Sequence, residues 1–438
     1  MSFVKTNRAR IIIFALLLSA ATIVFLVLWG QRDSQNVSSG FLEEEEEEVY
    51  NVRRHGAKGD GTTDDTEAIK GAIDYVQSAG GGIVFFPAGK YKVSSTLLVS
   101  DSNVELRGTG KASVVFLDKS EGAVIKISNE NEMMHTTHNK VTNLTIDRAV
   151  PPDPNIEERI SYGIHVERAR FTTLDGVIVY NAAYGIGVGE KGGDGFPNQF
   201  TNIVNSYVMY SGSMQPVSTF PGANIVFWSG ADYKVNTTFV EPTHVGILMT
   251  GNANGININE TTVINGAPFK KGIVSIGKGF ARYISNSIIE NALEEQIYIG
   301  EGSQRVTVSD SWVGAGSRND RNDRIGIVIE DTTQKVTIAN NRIGDQRKQA
   351  IVSAGFNVII QGNTIENNVN SGCDCDSVEI TGGDYVIVSD NRVFGSLDRY
   401  GIHISGNTDY YTVTGNVSPE TGVHAAAAGK NAIVKDNL

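Results

Sequence analysis

A short phrase that returns at regular intervals is the strongest constraint on the fold of this 438-residue chain. Its first copies are Tyr162-Gly-Ile-His-Val and Tyr184-Gly-Ile-Gly-Val, and later copies begin at Ala223, Val245, Lys271, Glu295, Ile325, Gln349, Asp376, Tyr400 and Thr421. Most steps are about 21 to 29 residues long, a period typical of stacked repeats. Each copy alternates apolar and polar residues, which is typical of a short, half-buried strand. The repeat therefore predicts a solenoid built from strands.

A second phrase follows the first in each repeat and ends in an asparagine. Val336-Thr-Ile-Ala-Asn-Asn-Arg-Ile and Val358-Ile-Ile-Gln-Gly-Asn-Thr-Ile are two copies. One complete turn, or coil, is then strand, loop, strand, asparagine corner and strand. This order predicts an all-β fold, a single right-handed parallel β-helix of about 13 coils.

The corner asparagines recur at the repeat period and are Asn341, Asn363, Asn391, Asn416 and Asn437. Asparagine tolerates the left-handed backbone that a sharp corner needs. Stacked one above another, these amides could also hydrogen-bond as a ladder. The alternative is that they are simply good turn residues. The shared register favours the ladder.

The N-terminal 48 residues have a different composition from the repeats. Residues 1–10 carry Lys5, Arg8 and Arg10, and residues 11–31 carry no charge. Such a segment can cross a hydrocarbon core of about 30 Å. The basic flank predicts a cytoplasmic N-terminus, with the β-helix on the extracytoplasmic side. A cleaved signal peptide, giving a secreted protein, is the alternative. Residues 32–48, which end in six glutamates, are expected to form a disordered tether.

The charge of the chain excludes one class of partner. Half of the net charge of −12 comes from the glutamates at 43–48, so the remainder is only mildly acidic. No basic stripe is present that could neutralise phosphates, and we therefore expect no nucleic-acid binding. Two cysteines, Cys373 and Cys375, are too few for a disulfide framework.

Residues 49–98 differ from the repeats and predict a cap on the β-helix of residues 99–438. Asp64 is expected to begin a helix, with Glu67 at the spacing of a capping box. Ile69, Ile73 and Val76 would form its apolar face. An open solenoid end exposes apolar side chains, and this helix is well placed to cover them.

The same block resembles the opening of the pectate-lyase superfamily. The residues that carry the resemblance are Asn51-Val52, Gly56-Ala-Lys-Gly-Asp-Gly61, Asp64-Asp-Thr66 and Gly80-Gly-Gly-Ile-Val-Phe-Phe-Pro-Ala-Gly-Lys-Tyr91. The superfamily comprises right-handed β-helices around polygalacturonases, rhamnogalacturonases, alginate epimerases and phage tailspikes. The resemblance implies an extracellular protein that binds or modifies polysaccharide.

Two catalytic signatures of these relatives are missing from the chain. Polygalacturonases carry Gly-His-Gly, which this sequence lacks. Alginate epimerases carry Tyr-Gly-x-Asp-Pro-His-Glu, whereas the matching stretch here is Tyr184-Gly-Ile-Gly-Val-Gly-Glu190. Glycines replace the Asp and His that would move the proton, so the resemblance does not extend to epimerase activity.

The residues that alternate with the buried ones should form a row on the outer face. This row runs from His165 through Val226, Leu248 and Val274 to Tyr298, and on to His424. Its middle is apolar, and monomers seldom expose such a stripe. We expect either the 190–222 insertion or other copies of the chain to cover this stripe. Other copies would do so in a homotrimer, an assembly that the superfamily often forms.

Charged residues in the turn before the first strand of each repeat give the first candidate site. It comprises Glu295, Asp320, Asp323 and Arg324 as catalytic residues and Lys348 as a substrate-binding residue. Carboxylates on neighbouring coils could converge for glycoside hydrolysis. They could also hold Ca²⁺ beside a basic group for a lyase. The alternative is a ladder of ion pairs on a solvated edge, which the alternating signs favour.

The mouth of the long insertion gives the second candidate site. Glu190 and Asp194 would be catalytic there, with His165 on an adjacent coil binding substrate. Trp228 and Tyr298 could provide rings on which sugars stack. Together these features predict an anchored protein that binds and cleaves a uronate-containing polysaccharide, as a lyase or a hydrolase. A non-catalytic adhesin or scaffold of the same fold is the alternative.

Overall fold

The part of the chain described by the structure, a computed structural model, comprises residues 49–131, 133–149, 161–193, 198–209, 222–314, 324–366, 375–394, 399–425 and 431–438. The predicted cytoplasmic segment 1–10, anchor 11–31 and tether 32–48 lie outside these ranges. Within them, no helix is both long enough and apolar enough to cross a bilayer.

Sheet 1 contains 13 parallel strands, and each strand between the two ends pairs with the strand one coil before it and the strand one coil after it. Its strands are Leu97–Val99, Gly122–Ile127, Ser161–Val166, Tyr184–Val188, Ala223–Phe227, Val245–Met249, Lys271–Ser275, Glu295–Ile299, Ile325–Ile329, Ile351–Ser353, Val378–Ile380, Ile402–Ile404 and Val423–Ala425. The strands that begin the repeated phrase of the sequence therefore stack into one sheet.

Sheet 2 contains 26 strands and bends at a corner within most coils. Its strands are Val49–Asn51, Asp60–Asp64, Gly82–Phe85, Gly89–Val93, Val104–Leu117, Lys140–Arg148, Thr173–Asp175, Ile178–Val179, Asn202–Val204, Tyr207–Met209, Ala231–Asn236, Phe239–Glu241, Asn254–Asn259, Thr262–Phe269, Phe280–Ser285, Ile288–Ala292, Gln304–Ser309, Trp312–Gly314, Gln334–Ala339, Arg342–Gly344, Phe356–Gln361, Thr364–Glu366, Val386–Ser389, Arg392–Phe394, Tyr410–Thr414 and Asn431–Lys435. Two short strands, Thr136–Thr137 and Ala169–Arg170, pair separately. The predicted order of strand, loop, strand, corner and strand is confirmed.

The isoleucines of the repeated phrase form one internal row. Ile164 pairs with Ile186, and the register continues without a shift through Ile225, Ile247, Ile273, Ile297, Ile327, Ile351, Val378 and Ile402. All of these side chains are fully buried. A parallel β-helix is therefore confirmed, because only coils stacked in register bring these residues into a single column.

The corner asparagines form the expected ladder. The side-chain amide of Asn341 donates to Asn363 at 3.0 Å, and that of Asn363 donates to Asn391 at 2.9 Å. Asn416 and Asn437 continue the ladder. The expectation that the ladder asparagines themselves have the left-handed backbone was wrong. The left-handed residue is the one before each ladder asparagine, such as Asn340 with φ 57°.

An α-helix, Thr66–Ser78, follows the 3₁₀ helix Val52–His55. Ile69, Ile73 and Val76 are buried and belong to the same apolar core as the strands. The predicted capping box is wrong. Asp65 is the N-cap and makes no side-chain cap bond, because its carboxylate accepts the backbone N–H groups of Lys58 and Gly59 at 2.6 and 2.9 Å.

Candidate functional site on the outer face of sheet 1

The outer face of sheet 1 carries one row of side chains in register from strand to strand. The row is His165, Gly187, Val226, Leu248, Val274, Tyr298, Val328, Val352, Glu379, His403 and His424. It agrees with the sequence prediction. Because each step is one strand spacing, His165 and Tyr298 lie about 24 Å apart along the axis. The two predicted sites therefore cannot act as one acid–base pair.

At the N-terminal end of the row, His165 and Glu167 lie in a buried ionic network. Glu167 pairs with Lys126 at 3.2 Å and with Arg168 at 2.8 Å. His165 contacts the carbonyl oxygen of Gly189 through Nε2 at 3.1 Å. Burial lowers the pKa of His165 to about 4, against the attraction of Glu167. The ring is therefore neutral at ordinary pH and, being buried, does not offer a face to substrate.

The middle of the outer face is an apolar cluster buried within one chain. Val226, Leu248 and Val274 are at most 6% exposed and pack with Tyr184 and Trp228. The Trp228 indole N–H donates to the hydroxyl of Tyr162 at 3.0 Å. Burial contradicts the prediction that Trp228 stacks on sugars. The stripe also needs no second chain to cover these three side chains, so the homotrimer stays a prediction.

The next coils bring together two of the predicted site residues, Glu295 and Tyr298, around Lys271. The Lys271 ammonium pairs with Glu295, and it lies 4.6 Å from the centroid of the Tyr298 ring. The Tyr298 hydroxyl donates to Glu330, which was not among the predicted residues. Burial and the Glu330 carboxylate raise the pKa of Tyr298. Every charged group here already has a partner, as the ion-pair alternative predicted.

The remaining predicted residues are not assembled into one site. Arg324 is buried, and its carbonyl oxygen accepts the backbone N–H of Lys348 at 2.9 Å. Lys348 is half-buried. Glu190 is exposed, and its backbone N–H donates to the Ser229 hydroxyl at 3.0 Å. The other three predicted carboxylates, Asp194, Asp320 and Asp323, lie outside the described residues.

The C-terminal end of the face holds a carboxylate–imidazole pair between Asp376 and His403. Nδ1 of His403 lies 2.7 Å from Oδ2 of Asp376. Arg399 pairs with the same carboxylate at 2.9 Å, and the backbone N–H of Tyr400 donates to its other oxygen at 3.0 Å. Both oxygens of this carboxylate act as acceptors, because Arg399 and the Tyr400 N–H donate to them. Nδ1 of His403 also lies 3.3 Å from the Arg399 guanidinium, but its contact with the carboxylate is shorter. A neutral His403 therefore donates from Nδ1, and its Nε2 is then the proton acceptor.

Asp376 and His403 differ in access to solvent. The Asp376 side chain is 1% exposed, whereas His403 is 17% and Arg399 39% exposed. Tyr400 stacks on the exposed His424 ring, with centroids 4.6 Å apart. The carboxylate is thus a fixed internal support, and the imidazole and guanidinium are the groups that a ligand can reach. That is the arrangement of a general base oriented by a buried acid.

Glu379 lies beside this pair, one coil before His403. Ligand atoms of Asp376, Glu379 and His403 lie within 4.8 Å of one another, the one such group among the described residues. The Gln349 side-chain amide donates to Glu379 at 2.7 Å. Ca²⁺ prefers six to eight oxygen ligands. Two carboxylates and an imidazole do not meet that preference, and Arg399 already balances Asp376. Ca²⁺, which a lyase could use, does not fit this group.

Sequence reasoning missed this site although each of its residues belonged to a recognised row. Glu379, His403 and His424 end the outer row, and Asp376 lies in the charged turn before the strand. The polar end of an otherwise apolar row was the available signal. Asp376 contacts a residue of the following coil because of how its turn packs. The spacing of residues in the sequence does not reveal that packing.

Comparison with known proteins places the chain in a family. The description "Rhamnogalacturonase A/epimerase, pectate lyase-like" matches residues 49–273, just over half of the chain. The chain belongs to this family. A right-handed β-helix region also matches residues 245–418, so the expected superfamily and the handedness of the helix are confirmed.

This family member shares only part of its length with its curated relatives. It is 41% identical over 110 residues to alginate lyase 7 from Azotobacter vinelandii, covering 22% of this chain and 12% of that protein. The A-module of mannuronan C-5 epimerase AlgE6, from the same organism, aligns with a TM-score of 0.56 at 20% identity, covering 89% of this chain and 98% of that one. PfbA, a surface adhesin of Streptococcus pneumoniae, aligns at 0.51 and 14% identity, covering 84% and 90%. These structural matches show the fold alone.

Proposed function

We propose that this family member is an anchored, extracytoplasmic enzyme that cleaves a uronate-containing polysaccharide at the Asp376–His403 pair. The observation that carries the proposal is the 2.7 Å contact between the buried Asp376 carboxylate and Nδ1 of His403. It leaves a base on the outer face of sheet 1, beside an arginine. The sequence relative named as an alginate lyase supports a uronate as substrate.

A β-elimination uses these groups in a consistent way. Arg399 attracts the uronate carboxylate, which makes the neighbouring C5–H bond more acidic. Nε2 of His403 takes the C5 proton, and Asp376 stabilises the resulting imidazolium. The C5–H electron pair forms the C4=C5 double bond as the C4–O4 bond breaks. Glu379, when protonated, delivers a proton to the departing oxygen. A hydrolase would instead use Glu379 as the acid and His403, oriented by Asp376, as the base that activates a water.

The location and assembly of the protein complete the proposal. Residues 11–31 would anchor the chain with residues 1–10 in the cytoplasm, and residues 32–48 would separate the β-helix from the membrane. The helix Thr66–Ser78 would close the N-terminal end of about 13 stacked coils. A homotrimer is compatible with this arrangement, although the covered apolar stripe does not require it.

Incubation of the purified full-length protein with alginate, polygalacturonate and a neutral glucan tests the activity. We expect unsaturated uronate products, detected by their ultraviolet absorbance, from an acidic polymer only. His403→Gln should lower the rate about 10²-fold or more. His55→Gln, which changes an exposed histidine of the 3₁₀ helix, is the matched control. New reducing ends without unsaturation would indicate a hydrolase.

A non-catalytic adhesin is the second candidate, because PfbA is an example of this fold in a surface adhesin. The missing polygalacturonase and epimerase signatures support it as well. The two candidates separate in one experiment. Polysaccharide binding without any product, and unaltered by His403→Gln, would support the adhesin and contradict the enzyme.

A further inference from the structure

A column of exposed aromatic rings stands at a left-handed corner of sheet 2, away from the face that carries His403. His138, Phe171 and Phe200 stack with centroids 4.9 and 4.8 Å apart. All three have positive φ, between 54° and 59°, which is uncommon for bulky residues. Phe171 and Phe200 remain 45% and 38% exposed. Strained, exposed rings on consecutive coils point to a role other than core packing.

The stack ends at Phe200 because the next corner positions are small or polar. They are Asp232, Gly255 and Ala281, which have the same left-handed backbone. The result is an open space of about 640 Å³, the Phe200 notch. Its volume falls within the range typical of small-ligand sites. Since Asp232, the next residue in the column, carries no ring, one face of Phe200 borders the notch.

A row of hydrogen-bonding side chains borders the same notch. Asn202, Lys234, Asn257 and Tyr283 are in register on neighbouring strands of sheet 2, one strand spacing apart. Lys234 and Asn257 are exposed, and Tyr283 is 45% exposed. Amides, an ammonium and a phenol supply both donors and acceptors. No hydrogen bond or ion pair joins these four side chains to other parts of the described chain.

We propose that the Phe200 notch is a non-catalytic binding site for a short segment of polysaccharide. The pyranose ring has an apolar C–H face that packs on an aromatic ring, and hydroxyl groups at its rim that need both donors and acceptors. The notch offers an aromatic face at Phe200 and, one strand spacing apart, side chains that donate and accept hydrogen bonds. Lys234 can pair with a carboxylate on the sugar, and Asp232, which also lines the notch, can accept hydrogen bonds from its hydroxyl groups. The choice of a uronate rests on the proposed function, whereas the site itself does not require catalysis.

Retention of the full-length protein in native gels containing alginate or polygalacturonate tests the site. The catalytically impaired His403→Gln protein serves as the parent, so that turnover cannot alter the matrix. Phe200→Ala should weaken retention about tenfold, the loss expected for one aromatic contact. Ala281→Phe, which fills the notch without removing a contact, should have a similar effect. Thermal unfolding of each variant checks that it is folded.

Tyr385→Ala is the matched control. Tyr385 lies in the same left-handed corner column and is 52% exposed, but its ring stacks on Tyr410. Retention should be unchanged in this variant. Equal losses in Tyr385→Ala and Phe200→Ala, or no loss in either folded notch variant, would overturn the site. A change in sedimentation coefficient with unchanged retention would show that the notch binds a second chain instead. Turnover of short oligosaccharides should be independent of the notch, which separates its failure from that of the proposed enzyme.

Discussion

The two halves of the outer row of sheet 1 share a backbone but differ in chemistry. In the N-terminal half, Val226, Leu248 and Val274 are buried with Trp228. At the C-terminal end, His403 and Arg399 are partly exposed over a buried Asp376. Both halves use the same strand phrase and the same internal isoleucine row. The stacked coils therefore determine where a side chain lies, whereas the outward residues determine what that position does.

A similar difference runs along the corner that carries the asparagine ladder. The ladder there is built from asparagines between Asn341 and Asn437, but from hydroxyl residues such as Ser287 and Ser311 earlier in the chain. An asparagine side chain can donate and accept across two coils at once, whereas a serine makes fewer bonds. The C-terminal coils, which carry the proposed site, are thus joined by the denser hydrogen-bond network.

The largest expected effect separates the two halves by activity. Asp376→Asn removes the carboxylate that orients His403, and we expect the rate of polysaccharide cleavage to fall about 10²-fold or more. Glu190→Gln, which changes an exposed carboxylate of the N-terminal half, should leave the rate unchanged. Initial rates on the polymer that is cleaved measure both. The reverse result would move the site to the mouth of the insertion.

The free energy of unfolding, unlike the activity, should depend strongly on the apolar N-terminal half. Trp228→Ala removes a large side chain that is 5% exposed and leaves the Tyr162 hydroxyl without its donor. We expect the free energy of unfolding to drop by about 3–5 kcal/mol. Trp312→Ala, on a half-buried ring beneath Arg342, should lower it by less. Chemical denaturation measures both. Equal losses would mean that the apolar cluster is not a second core.

The corner ladder gives a smaller contrast. Asn363 donates to Asn391 and Ile338, and it accepts from the backbone and side chain of Asn341. Asn363→Ala should lower the free energy of unfolding by about 2–3 kcal/mol, because several buried partners lose a hydrogen bond. Ser287→Ala should cost about 1 kcal/mol. The same denaturation assay compares them, and indistinguishable values would argue that the amides are only turn residues.

The smallest effect is a pH dependence that belongs to the N-terminal half. Burial lowers the pKa of His165 to about 4, whereas an unfolded histidine titrates near 6.5. The unfolded state therefore binds more protons between these values, and stability declines as the pH falls through that window. We expect His165→Gln to reduce this slope by about 1 kcal/mol per pH unit at most. Chemical denaturation across this pH window measures the slope in both proteins.

Much of the fold followed from the repeat, but little of the site did. The isoleucine row, the outer row and the asparagine ladder all follow from a fixed period, because stacking in register leaves no freedom in which residues align. The candidate residues Glu295 and Tyr298 share Lys271 as a partner because its strand stacks on theirs in register. Trp228 was misread because its burial depends on what covers the strand, and the capping box failed because Asp65 binds the backbone of the loop before it.

The sequence by itself determined the β-helix, its strand register and the family to which the chain belongs, since each depends on local periodicity or on a contiguous motif. Only the tertiary structure decided that Asp376 supports His403, that Lys271 and Glu295 neutralise each other, and that a notch opens beside Phe200. These are contacts between residues on different coils. The directions of these side chains depend on how the loops pack, and loop packing does not follow the sequence repeat.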